Sequence, residues 1–131
     1  MASTQSAGTQ ALGEYGERIA ARHLTEAGMR ILAQRWRCRW VEVDIIAEDG
    51  EGGDAAQTLV ICEVKTRRGL GYGDPLESIT YAKVRRLREL AMEWVRSQEE
   101  RVGPVRLDAV GVLVDARGLS SVRHVVNLEK P

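Results

Sequence analysis

The stretch "TLVICEVKTRRG", Thr58 to Gly69, begins as a hydrophobic strand and then places Glu63 and Lys65 inside the apolar run. Charged groups are expensive to bury unless they are paired or bound to something. Side chains alternate faces along a strand, so Glu63 and Lys65 share a face with Leu59 and Ile61. In "VEVDIIA" the same arithmetic puts Asp44 on the face of Glu42 and Ile46. If the two strands pair as a hairpin, Asp44 and Glu63 meet at one point. Two carboxylates that close repel each other. A divalent cation relieves the repulsion, and hard oxygen ligands suit Mg²⁺ or Mn²⁺.

A third acid comes from the first helical stretch. Glu17 lies in register with Ala20, Ala21 and Leu24, at the edge of a buried stripe, whereas Glu14 aligns with Arg18 and Arg22 on a solvated face. Glu63 and Lys65 taken alone read as well as a salt bridge at a sheet edge. Asp44 and Glu17 in register favour the metal site. Basic residues supply a phosphate grip: Arg67 and Arg68 follow the Glu-x-Lys strand, and "KVRRLR" puts Lys83, Arg85, Arg86 and Arg88 on one helix. Such contacts fix position without reading sequence; the bland reading of the run is a solvated helix face. Asp108 shares a face with Val110 and Val112, and a structural role against a helix end is expected. "GLGYGD" invites a dinucleotide-binding reading, which fails because Asp74 takes the third glycine position and only one such unit exists.

The elements that must position these groups follow from periodicity. Apolar residues recur at helical spacing from about Leu12 to Ala27, and Gly28 ends the helix. "MRILAQRWRC" and "WVEVDIIAED" read as strands joined by a short turn, and the Glu-x-Lys stretch is the third. "GEGGDAAQ" and "RRGLGYGDP" read as loops. Asp74-Pro75 is expected to cap a long amphipathic helix running to about Glu100. "VRLDAVGVLVD" is a strong strand and "SVRHVVNL" a weaker one. The order α-β-β-β-α-β-β implies a single α/β domain, a central mixed sheet flanked by helices.

With 131 residues, 44% apolar and 29% charged, the chain suits one core. Residues 1–10, small and polar, are expected to be a disordered leader before a domain spanning 11–131. No apolar run approaches a membrane span and no signal core precedes the domain. Cys38 and Cys62 make no disulfide framework, and Cys62 reads as a small core hydrophobe; a cytoplasmic protein is expected. His23 and His124 lie far apart in sequence without ligand-like neighbours. The net charge of zero leaves nucleic acid to be judged from local patches.

Six features in order carry a resemblance: Gly16-Glu17, "VEVD" (Val41 to Asp44), "EVKTR" (Glu63 to Arg67), "YGDP" (Tyr72 to Pro75), Lys83, and "RLDAV" (Arg106 to Val110). Together they resemble the YraN-like bacterial family, which is similar to the archaeal Holliday-junction resolvases of the PD-(D/E)xK nuclease superfamily. The resemblance spans about Gly13 to Val114. It departs at Val41, where the family has Gly, and at Leu107, where it has Phe. It implies a restriction-endonuclease-like core and a Mg²⁺- or Mn²⁺-dependent endonuclease acting on DNA, with a branched junction, a flap, single-stranded DNA and RNA all left open as its substrate. Asp44 and Glu63 would hold the ion with the Val64 carbonyl, and Glu17 a water on that ion or a second ion. Lys65 would orient the attacking water or stabilise charge on the phosphate; a lysine among carboxylates is a poor general base, because they favour its charged form. A resolvase makes paired cuts, so a homodimer is expected for that role. The alternative is a nucleic-acid-binding protein on the same fold with weak or lost catalysis; DNA binding that needs no metal, without cutting, would identify it.

Overall fold

The structure, a computed structural model, describes residues 2–50, 57–69 and 73–130. The first helix, α1, spans Ala2–Glu26 and is followed by three strands, β1 (Arg30–Cys38), β2 (Val41–Asp49) and β3 (Thr58–Arg68). A 3₁₀ turn (Pro75–Ser78) precedes α2 (Tyr81–Ser97), and β4 (Val105–Val114) and β5 (Ser120–Val125) follow. Residues 51–56 and 70–72, within the two expected loops, lie outside the described residues. No helix among those described is long and apolar enough to cross a membrane.

The α1 helix starts earlier than the Leu12 suggested by periodicity, but its packing begins there. Gly8, Gln10 and Ala11 are exposed. Leu12, Tyr15 and Ile19 are partly buried, and Ala20 and Leu24 fully so. Its end is a Schellman motif. Gly28, at φ 96°, donates to Thr25 O, and Met29 N reaches back to Leu24 O, each at 3.0 Å. Met29 then packs into the same core as Leu24.

The five strands lie in sequence order, β1-β2-β3-β4-β5. The β3–β4 pair is parallel and the others antiparallel. A parallel pair needs a crossover, which α2 supplies. Alternation along the strands divides the core. Val60, Cys62, Val110 and Val112 pack with Ala20 and Leu24 of α1. Leu59, Ile61 and Leu107 pack with Leu87, Leu90 and Ala91 of α2. One helix therefore covers each face of the mixed sheet.

The second helix departs from the expected single run after Asp74-Pro75. Asp74 caps only the 3₁₀ turn, its carboxylate accepting from Leu76 N at 2.8 Å. Ile79 is extended, and Thr80 starts α2 afresh with its hydroxyl accepting from Lys83 N at 3.2 Å. Threonine is a strong N-cap and a poor helix interior residue, so the break falls there.

Candidate metal centre

The site is built at a fork between two strands. The β2–β3 ladder runs from Asp49↔Thr58 to Ile45↔Cys62 and stops, while both strands continue. In the gap, the Asp44 carboxylate accepts the Val64 N–H at 2.7 Å. A side chain thus takes over where a backbone partner is missing.

Asp44 can do this because β2 is irregular at that level. Strict alternation would put Val43 and Ile45 on one face. Instead Val43 and Ile46 pack toward α2, and Ile45 and Ala47 toward α1. Across β1, Gln34 pairs with Ile45 and Trp36 with Val43, so Arg35 stands at the level of Asp44. Arg35 is in the left-handed region at φ 54°, uncommon for a non-glycine residue. Both strands are irregular at one level, the level at which the β2–β3 ladder ends.

From the other side comes α1. Gly16 is buried against β3: a Cβ there would lie 1.7 Å from Thr66 Oγ1. Only glycine lets the helix sit this close, and the next residue, Glu17, is carried to the fork. Carboxylate oxygens of Glu17, Glu42 and Asp44 all lie within 4.8 Å of one another. Beside them, Glu63 Oε1 is 3.4 Å from Lys65 Nζ, both side chains partly exposed.

The electrostatics of Asp44 reflect this crowding. Burial raises its carboxyl pKa most, the Val64 N–H opposes it, and the charges of Glu63, Glu17 and Glu42 add to the rise, to about 7. Two β1 arginines partly offset the negative charge. Arg35 Nε donates to Glu17 at 2.7 Å, and Arg37 Nε to Glu42 at 3.4 Å. The hydrogen bond to Glu17 and its charge hold the Arg35 pKa above its usual value. The donor set is oxygen only and anionic, which fits a hard divalent cation.

Of the residues named from sequence, Glu17 and Asp44 join the cluster, Glu63 lies close enough to act on Asp44, and Lys65 pairs with Glu63. Val64, expected to lend its carbonyl, also donates its N–H to Asp44. The basic residues stand apart. Lys83 Nζ donates to Ser78 O at 3.1 Å, and Arg88 pairs with Glu129. Arg85, Arg86 and Arg68 are exposed, and Arg67 half-buried. Among the described residues none of these forms an ion pair with the clustered acids. Sequence reasoning missed Glu42 as a member, although alternation had placed it beside Asp44. It also missed the Arg35 and Arg37 partners, visible only as alternation in "RWRCRW".

A second polar group lies under the sheet. Asp108 is fully buried, as its structural role required, but it faces strand and C-terminal partners rather than a helix end. Arg106 Nε and Nη2 each donate at 2.9 Å, His124 Nε2 lies at 2.8 Å, and Asn127 N donates at 3.0 Å. Burial would raise the Asp108 pKa, but these donors and the Arg106 charge hold it down at about 2. His124 Nδ1 is 3.2 Å from His23 Nε2 of α1. The two histidines, distant in sequence, thus link the end of α1 to β5.

Fold and site together define a class: a single α/β domain, its five-stranded mixed sheet covered by one helix on each face, with a carboxylate cluster where two strands part. Residues 16–112 match the Uncharacterised protein family UPF0102, and the chain belongs to that family. A UPF0102 protein of Rhodococcus opacus (strain B4) is 48% identical over 115 residues, 88% of this chain and 92% of the relative. One from Nocardioides sp. (strain ATCC BAA-499 / JS614) is 47% identical over 123 residues, 94% of each chain. One from Acidothermus cellulolyticus (strain ATCC 43068 / DSM 8971 / 11B) is 57% identical over 95 residues, 72% of this chain and 67% of the relative.

Proposed function

We propose that the protein is a Mg²⁺- or Mn²⁺-dependent endonuclease of the PD-(D/E)xK superfamily, hydrolysing phosphodiester bonds in DNA. The observation that carries this reading is the gathering of Glu17, Glu42 and Asp44 at the strand fork, with Lys65 next to Glu63 at its edge. Asp44 and Glu63, with the Val64 carbonyl, would be the primary ligands, and Glu17 and Glu42 would complete the acidic set. A cation held there would supply Lewis-acid activation of the phosphodiester and of the attacking water. Lys65 carries its ammonium on a flexible stem beside this set. It would stabilise charge developing on a phosphate oxygen. The buried setting of Asp44 strengthens each of these electrostatic interactions. Branched or junction DNA is the proposed substrate, and paired cuts on it call for a homodimer.

The test is a panel of labelled linear and branched DNAs incubated with Mg²⁺, Mn²⁺ or chelator. Metal-dependent cutting is expected, and Lys65→Ala should reduce turnover sharply while leaving DNA affinity nearly unchanged. DNA bound equally well without metal and never cut would overturn the reading in favour of a binding protein.

A further inference from the structure

The β1–β2 hairpin ends in a two-residue turn, Arg39-Trp40, between the paired residues Cys38 and Val41. Arg39 takes a left-handed conformation, φ 58°. Glycine or asparagine fills such a position at less strain. Trp40 is 94% exposed. The other two tryptophans instead pack edge-to-face on each other, centroids 5.4 Å apart. Neither turn residue is therefore suited to the stability of the hairpin.

The tip overhangs a cleft of about 560 Å³, within the size range of small-ligand sites. Arg39, Trp40 and Val41 line one side, and Arg86, Leu90 and Met92 of α2 the other, where Glu89 and Glu93 also stand, Glu93 paired with Arg96. Arg39 and Arg86 form no ion pair among the described residues, unlike Arg35, Arg37, Arg88 and Arg96. An exposed indole in one cleft with two guanidinium groups that form no ion pair among the described residues matches the chemistry of an unstacked base and its phosphates. The tip is joined to the carboxylate site through β2, although its cleft lies on the α2 side of the sheet and Glu17 enters from the α1 side. Trp40 is four residues before Asp44, about 13 Å along an extended strand.

We propose that Trp40 stacks on an unpaired base of the DNA bound at the carboxylate site, with Arg39 and Arg86 on the neighbouring phosphates. This rests on the reading of that site as one that engages DNA, and it selects substrates with an unpaired segment next to the cut. The hairpin tip is then a specificity element rather than part of the hydrolytic machinery.

The test measures affinity by fluorescence anisotropy, in chelator, for a duplex and for the same duplex with an internal unpaired segment. Trp40→Ala should weaken binding to the second by about tenfold and to the first by less than about twofold, while Trp40→Phe retains most of the affinity. Equal losses on both DNAs, or none, would overturn the proposal. So would sedimentation showing that Trp40→Ala converts a dimer to a monomer, since a second copy would then be what covers the indole. The outcomes separate the two readings. Trp40-dependent binding without cutting in Mg²⁺ or Mn²⁺ keeps the stacking and removes the chemistry. Cutting with no dependence on Trp40 does the reverse, and failure to bind any DNA removes both.

Discussion

Asp44 carries opposing demands at the residue scale. It must be charged to hold a cation, yet burial and three neighbouring acids favour its proton, with a pKa of about 7. An unfolded aspartate titrates near 3.9. Between those values the folded state holds a proton that the unfolded state has released. Ionisation of Asp44 therefore opposes folding progressively from about pH 4 to about pH 7, and the penalty is constant above that. Asn keeps an oxygen for the Val64 N–H and removes the charge. In chelator, Asp44→Asn should melt higher than the parent, by a margin that grows from pH 4 to pH 7 and then levels. Mg²⁺ should raise the melting temperature of the parent by linkage and leave the variant unmoved; scanning calorimetry reads both. Arg35 makes a separate prediction. Its guanidinium, half exposed, holds Glu17, and a cation must compete with it. Arg35→Gln should tighten Mn²⁺ binding, by about fivefold at most because an exposed pair contributes at most ~1 kcal/mol. Isothermal titration would detect it, and unchanged affinity would show that Glu17 is no ligand.

At the element scale, α1 is a positioning device, and Gly16 is its contact point. A Cβ at Gly16 meets Thr66 Oγ1 at 1.7 Å, while at Gly13, three residues earlier on the same helix, it meets nothing within 4 Å. Gly16→Ala should cost about 1–3 kcal/mol as the helix is pushed off β3, and should weaken metal binding because Glu17 moves with it. Gly13→Ala should stabilise by about 0.5–1 kcal/mol through helix propensity alone. Urea unfolding of the pair checks the contrast. The elements themselves were legible: apolar runs gave each strand, and Gly28 the end of α1. The kink at Arg35 and Asp44 was not. It depends on a left-handed arginine and broken alternation, and neither has a composition signal. Alternation brought Glu42 and Asp44 together correctly, but not Ile46, since it assumes an unbroken pleat. The restart of α2 at Thr80 was hidden by apolar periodicity that runs through Leu76 and Ile79. Trp40 and the His23–His124 contact needed tertiary placement, which no local pattern supplies.

At the scale of the whole molecule, the strand order has a temporal consequence. The β1, β2 and β3 strands are antiparallel neighbours in sequence, whereas β4 joins β3 in parallel only after the chain has travelled out through α2 and back. Local pairings close first because their loops are short, and long-range parallel pairing comes late. Val43→Ala should therefore slow refolding, whereas Leu107→Ala, in the late strand, should mainly speed unfolding, each measured from both limbs of a chevron plot. Asp44 and Glu42 belong to the early meander, so the chain gathers like charges while it is still climbing its barrier. Refolding, and not unfolding, is then the step that Mg²⁺ should accelerate.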